Sequence, residues 1–241
     1  MACIIAGTSP IERYDLICNS RRTLLHDMPQ VISNSEMAEP AIASAVAALK
    51  GDEVVVFPTE TLYGLGADAL NEAAVEKVFR LKGRDPAAPI PVLAANEAML
   101  GQLVDIISPL ARRLMQRFWP GPLTLVLRAR AHVPKPLKND SGGIGVRISS
   151  QPIAMQLIRA LGRPLTATSA NPSGKEPART LLEAQNYFAG EVNIFIDGGS
   201  LRSKTGSTVV EVQGERLRVI REGDIAVAAL EQLVGKGKLL S

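Results

Sequence analysis

Cysteine, histidine and aromatic residues are all scarce: two Cys, two His and 4% Phe, Tyr and Trp in 241 residues. Cys3 and Cys18 both stand near the N-terminus. Two cysteines make no disulfide framework for a chain of this length, and with only His26 and His132 beside them they argue against a structural zinc site. Nowhere is there the run of about 20 apolar residues needed to span a bilayer. The opening Met1-Ala2-Cys3-Ile4-Ile5-Ala6-Gly7 lacks a basic region and is too short an apolar run for a signal peptide. A cytoplasmic location and no membrane contact are therefore expected. Lys and Arg exceed Asp and Glu by only 27 to 24, too small a surplus to argue for nucleic acid by itself.

The usual catalytic signatures are missing as well. There is no GxxxxGK[ST] loop, no GxGxxG turn after a strand, no GxSxG elbow, and no pair of acids at a metal-ligand spacing. An enzyme built from this sequence must work by positioning and charge neutralisation, without a dedicated nucleophile or histidine base.

What is present is aliphatic: 46% of the residues are hydrophobic, enough for a buried core in one large domain. Residues 1–32 lack sustained periodicity, mix charges evenly and read as an N-terminal extension of uncertain order. From residue 33 to 241 the pattern is regular and reads as a single domain. Helical spacing predicts helices over 38–49, 73–82, 96–104, from Ser108-Pro109, over 152–161 and 180–188, and after Asp224. Apolar and β-branched runs predict strands over 53–57 (stopped by Pro58), 91–94, 123–127, 145–148, 165–168, 192–196, 208–212 and 217–220. Because helices and strands are not strictly alternating, the expected class is α/β with a twisted mixed parallel/antiparallel sheet and flanking helices.

Four segments carry candidate chemistry. Pro58-Thr59-Glu60-Thr61-Leu62-Tyr63-Gly64-Leu65-Gly66 follows a strand with hydroxyls, a tyrosine and two glycines, and reads as a ligand loop more than a hairpin; an ordinary turn is the alternative. Lys82-Gly83-Arg84 sets two cations about a glycine at a helix end. They either meet phosphate or carboxylate oxygens or, for Lys82, complement the helix dipole; the motif alone favours the second. Thr166-Ala167-Thr168-Ser169-Ala170-Asn171-Pro172-Ser173-Gly174 brings hydroxyls and an amide behind one strand, suited to phosphate or nucleobase contacts. Arg147, inside an apolar strand, needs an anionic partner, internal carboxylate or ligand; Arg221-Glu222-Gly223 stands near the end of the pattern.

Taken in order, seven motifs resemble the YrdC-type threonylcarbamoyl-adenylate synthase family. They are Pro58-Thr59-Glu60-Thr61 with Tyr63-Gly64-Leu65; Lys82-x-Arg84; Trp119-Pro120-Gly121-Pro122-Leu123-Thr124; Gly145-Val146-Arg147; Ser169-Ala170-Asn171-x-Ser173-Gly174; Ser207-Thr208-Val209-Val210; and Arg221-Glu222-Gly223. The likeness spans about residues 33–225. It implies a YrdC-like fold with an open central cavity and an enzyme that joins L-threonine, bicarbonate and ATP, with Mg2+, into threonylcarbamoyl-AMP. Pyrophosphate would be released, and threonylcarbamoyl-transferase proteins would pass the group to tRNA. By the same resemblance Lys82 and Arg84 are the catalytic cations, and Thr59, Thr61, Tyr63, Lys82, Arg84, Arg147, Thr168, Ser169, Asn171 and Arg221 bind substrate or ATP, with no metal ligand among the side chains. Lys82 lies past the apolar face of its helix on this reading, so its loss should leave no cavity. Residues 1–32, outside the motifs, are expected to be dispensable for activity.

The chain departs from the family where some members carry a histidine and an Asn-Pro-Leu after the KxR pair; here the segment is Ala87-Ala88-Pro89-Ile90-Pro91. Two rival readings remain. Arg112, Arg113, Arg117, Arg128, Arg130, Lys135 and Lys138 could form the basic face of a non-catalytic, double-stranded RNA-binding protein, although stacking aromatics are nearly absent. A carbamoyl-adenylate-forming enzyme using carbamoyl phosphate is nearer, but hydrogenase-maturation carbamoyltransferases that contain such domains carry zinc motifs not seen here.

Overall fold

The structure is a computed structural model that describes residues 29–33, 39–85, 87–235 and 237–240. Cys3, Cys18, His26 and residue 38 of the first expected helix lie outside the described residues. In chain order the elements are β1 (Gln30–Ile32), α1 (Glu39–Lys50), β2 (Val55–Pro58), β3 (Tyr63–Gly66), α2 (Glu72–Lys82), β4 (Val92–Leu93), α3 (Glu97–Leu100), α4 (Pro109–Phe118), β5 (Leu123–Arg128) and β6 (Gly143–Arg147). They continue with α5 (Pro152–Leu161), β7 (Leu165–Thr166), β8 (Thr168–Ser169), α6 (Leu181–Phe188), β9 (Ile194–Ile196), β10 (Thr208–Gln213), β11 (Arg216–Arg221), α7 (Val227–Val234) and β12 (Leu239–Leu240).

Two mixed sheets result. One has the order β1-β9-β2-β3-β8 and the other β12-β11-β10-β5-β6-β4-β7. The run Val54-Val55-Val56-Phe57 is at most 1% exposed, because β2 lies between β9 and β3 with helices α1 and α5 packed against it; a strand covered on both faces reads as a continuous apolar run. The sheets are joined at Ala167: β7 pairs with β4 in the second sheet and β8 with β3 in the first. The single strand expected over 165–168 is thus two short ones, with the chain crossing sheets between them.

Helix ends follow local chemistry. Asn71 caps α2 by accepting from the Ala74 amide, and Ser108 caps α4 by accepting from Ala111. Thr180 and Glu183 form a reciprocal capping box at α6. The helix expected over 96–104 is shorter, ending at Leu100 before a run of turns. Gly83 sits at φ 56° beyond α2, and the amides of Gly83 and Arg84 bond back to Arg80 and Phe79. This left-handed cap, which a glycine adopts without strain, turns the chain sharply between Lys82 and Arg84.

Two expectations are corrected. Pro58 does not stop its strand: Pro58 pairs with Tyr63 and Val55 with Gly66, so the segment expected as a ligand loop is a β-hairpin with residues 59–62 as its turn. The glycines serve the strand, since a Cβ on Gly66 would lie 2.8 Å from the Phe57 ring. The domain boundary expected at residue 32 also cuts through structure. Gln30–Ile32 pairs in parallel with Ile194–Ile196, and Ile32 is 2% exposed.

Two truncations test that boundary. Removing residues 1–32 takes β1 and a buried isoleucine, a loss of about 2–5 kcal/mol by analogy with large-to-small core changes. Its melting temperature should fall roughly 5 °C or more below that of a 1–28 deletion; equal melting temperatures would show that β1 contributes nothing.

Candidate functional site

Residues from both sheets and from the end of α2 meet where β7 crosses into β8. Lys82 closes α2 and is 2% exposed. Its Nζ donates to the carbonyl oxygens of Ser169 (2.6 Å) and Asn171 (2.8 Å), with the Asn171 Oδ1 at 3.2 Å and the Ser169 Oγ at 3.3 Å. The Ser173 amide bonds back to the Lys82 carbonyl at 2.7 Å. The Lys82-x-Arg84 and Ser169-x-Asn171 motifs therefore form one structure. Burial, then the neighbouring Arg84, brings the Lys82 ammonium down to about 7.

This geometry overturns the expectation that losing Lys82 would leave no gap in the structure and barely touch stability. The ammonium does not complement its own helix dipole; it holds the carbonyls of another loop. The Asn171 side chain is likewise engaged within the protein, its Nδ2 donating to Pro172 O (2.9 Å) and Lys175 O (2.7 Å) and its Oδ1 accepting from Lys82. Asn171 shapes the loop and the lysine together, and its amide has little left for a nucleobase.

Arg84, half-buried, leaves the glycine cap in the other direction and donates to Ala88 O (2.7 Å) and Pro89 O (3.3 Å). Arg221, at the end of β11, donates through Nη2 to Ser207 O at 2.7 Å, with the Ser207 Oγ at 3.3 Å. Its guanidinium is depressed by partial burial, then by Arg147 and Arg84, so both of those arginines lie within charge range of Arg221. A close backbone approach sets this corner: a Cβ on Gly223 would lie 2.4 Å from Gly206 O.

Arg147 ends β6 and is 4% exposed. The anion it requires is an internal carboxylate. Glu60 Oε1 accepts from Arg147 Nη1 at 2.6 Å, and Glu60 Oε2 accepts from the Ser149 hydroxyl. Burial lowers the Arg147 pKa; Glu60 and, at longer range, Asp224 oppose it. Sequence reasoning passed over Glu60 and Ser207. A buried arginine in search of an anion and an acid set among hydroxyls were both visible, but nothing local joins residues 60 and 147.

Thr59, Thr61 and Thr168 are buried. Thr59 Oγ1 accepts from the amides of Thr61 and Leu62, donates to Leu62 O at 2.7 Å, and lies 2.9 Å from Thr61 Oγ1, so these hydroxyls build the hairpin turn. Tyr63 is fully buried. Its hydroxyl donates its one proton between Gly199 O (2.8 Å) and Asp197 Oδ1 (3.1 Å) and accepts from the Gly198 amide; burial raises its pKa beyond the usual phenol range. Tyr63 ties the hairpin to the turn after β9.

The second sheet places Arg147 on a largely buried face. Alternation puts Thr124, Val126 and Arg128 of β5 on the face that carries Gly143, Gly145 and Arg147 of β6, and a Cβ on Gly145 would lie 3.2 Å from Thr124 Cγ2. Trp119 Nε1 donates to Leu123 O, and the Gly121 amide to Ile148 O, which fixes the Trp119–Thr124 turn beside Arg147. At the far end of this hairpin, a cavity of about 690 Å³ is lined by Arg128, Arg130, Lys135, Lys138, Asp140 and Ala87, among others. Four of the cations of the RNA-binding reading do gather there, with no aromatic ring in the lining. The predicted site residues lie outside it.

The chain matches the Sua5_yciO_yrdC family model, described as telomere recombination, over residues 47–223. It belongs to the Sua5/YciO/YrdC family. It is 36% identical over 195 residues to the threonylcarbamoyl-AMP synthase of Pyrococcus abyssi, covering 81% of this chain and 57% of that one. A putative threonylcarbamoyl-AMP synthase of Mycobacterium tuberculosis is 33% identical over 203 residues, 84% of this chain and 93% of that one. The structure of P. abyssi Sua5 complexed with L-threonine superposes with a TM-score of 0.82 at 34% identity, covering 87% of this chain and 62% of that one. The fold of this family member is thus the mixed α/β architecture that its motifs implied.

Lys82→Ala should lose both turnover and stability. Each buried acceptor left unpaired costs about 1–3 kcal/mol, so a fall of roughly 5 °C in melting temperature is expected. Arg84→Ala, less buried, should lose about ten- to a hundred-fold in turnover with a smaller thermal shift. The Lys82 pKa adds a sign: between about 7 and its ordinary 10.5 the unfolded chain holds a proton the folded one lacks, so this group makes stability rise with pH across that window. Lys82→Gln should remove that rise; an unchanged pH–stability slope would contradict the assignment.

Proposed function

We propose that this chain is a nucleotidyltransferase of the cytoplasm that forms threonylcarbamoyl-AMP from L-threonine, bicarbonate and ATP, releasing pyrophosphate. The product would go to threonylcarbamoyl-transferase proteins that modify tRNA. The observation that carries the reading is electrostatic. Lys82, Arg84 and Arg221 are each hydrogen-bonded only to neutral carbonyl and hydroxyl oxygens among the described residues. Cations held together without carboxylates are arranged for a polyanion, and the P. abyssi relative bears the name threonylcarbamoyl-AMP synthase.

The chemistry needs no protein nucleophile. The threonine amine and bicarbonate give a carbamate with loss of water. A carbamate oxygen then bonds to the α-phosphorus of ATP while the bond from that phosphorus to the bridging oxygen breaks, and pyrophosphate leaves with the electron pair. Lys82, Arg84 and Arg221 would offset charge on the triphosphate and the leaving group, and Arg147 would meet a further anionic group. The two carboxylates that act on Arg147 are already engaged, Glu60 by Arg147 and Ser149, Asp224 by Ser203 and Thr205. Magnesium therefore fits best as the counter-ion carried in on the nucleotide's phosphates.

Pyrophosphate release from purified protein, ATP, magnesium and bicarbonate tests the reading. Release should require L-threonine. Equal release with serine, glycine or no amino acid would remove the substrate assignment, and release driven by carbamoyl phosphate without threonine would favour the carbamoyl-adenylate alternative.

A further inference from the structure

We propose that Glu60 is a positioning residue for the reaction, acting through Arg147; the inference deepens the reading above and rests on it. Three observations converge on this carboxylate. First, it is a two-armed bridge, one oxygen on Arg147 Nη1 and the other on the Ser149 hydroxyl, and Ser149 Oγ in turn accepts from the Gln151 amide at 3.1 Å. A carboxylate held at both oxygens is restrained from rotating, so it holds in place the Arg147 Nη1 that donates to it. Second, its own backbone is fixed. Glu60 occupies the turn that the Thr59 hydroxyl closes over the amides of Thr61 and Leu62. The hydroxyls of this motif thereby gain a purpose that direct ligand contact does not give them: they set the position of the acid between them. Third, Glu60 forms the one ion pair made by any of the four site cations among the described residues, and its side chain is only 13% exposed.

Arg147 is the one site cation with a balancing charge. Its other N–H groups are left to meet an anion in a set direction, while Lys82, Arg84 and Arg221 keep their charge uncompensated. Glu60 thus joins the hairpin of the first sheet to the last residue of β6 in the second, across the space where substrates would meet.

The test uses the full chain, labelled with 15N-arginine, and the variants Glu60→Ala, Glu60→Gln, Arg147→Lys and the double variant Glu60→Ala with Arg147→Lys. Side-chain N–H signals of Arg147, assigned by their loss in Arg147→Lys, should be resolved and slowly exchanging in the wild type. They should collapse into the averaged arginine envelope in Glu60→Ala. In kinetics, Glu60→Ala should raise the same KM that Arg147→Lys raises, by roughly ten-fold or more, and the double variant should be no worse than the worse single one. Glu60→Gln, which keeps the volume and can still accept from Arg147 and donate to Ser149, should show a smaller rise and keep the Arg147 signals. Unchanged Arg147 signals in Glu60→Ala, or additive kinetic effects, would overturn the proposal, as would a lower melting temperature with that KM unchanged. If Glu60→Ala does not fold, Glu60→Gln decides: full wild-type KM and loss of the Arg147 signals cannot both hold under this account. A wild type that releases no pyrophosphate with threonine would sink the functional reading, while the arginine signals would still decide the role of Glu60.

Discussion

The ammonium of Lys82, buried at the end of α2 and bonded to the carbonyls of Ser169 and Asn171, is the contact on which the site depends. It joins segments 87 and 89 residues apart in the chain and fixes the loop that leaves the crossing point of the two sheets. The left-handed Gly83 makes it possible by ending the helix so that Lys82 turns inward and Arg84 outward. A buried charge is tolerated only when its donors are satisfied, and here four oxygens surround it.

Around that contact the cations divide by how they are balanced. Arg147 is paired with Glu60; Lys82, Arg84 and Arg221 bond to neutral oxygens, and repulsion from Arg84 reaches both Lys82 and Arg221. That repulsion is the electrostatic feature a polyanion of the proposed kind would relieve on binding. Rigid β-strands and a capped helix present these groups, which suits chemistry that relies on placement.

Much of this was legible in the sequence where the cause is local. The capped helices at Asn71, Ser108 and Thr180 and the apolar run of β2 follow from neighbours along the chain. The three residues of β1 are too few to show a period, and they are held by β9, some 160 residues away on the register Gln30 to Ile194. Tyr63-Gly64-Leu65-Gly66 resembled a loop because its glycines fit turn chemistry; their reason is the Phe57 ring packed against the strand. Lys82 looked like a solvated helix end, yet Val75, Val78, Phe79 and Lys82 lie on one helical stripe and all are buried. That spacing held the signal, and the habit of placing lysine in water hid it. The motif residues are of two kinds: cations bonded to neutral oxygens or to Glu60, and Thr59, Thr61, Tyr63 and Asn171, whose polar atoms hold the surrounding turns in place.

A crystal structure with a non-hydrolysable ATP analogue, magnesium and L-threonine tests the central claim most directly. The account predicts triphosphate oxygens within hydrogen-bond distance of Arg84 and Arg221, with the Lys82 bonds to Ser169 and Asn171 preserved beneath them. A triphosphate bound instead among Arg128, Arg130, Lys135 and Lys138, with Arg84 and Arg221 untouched, would contradict it.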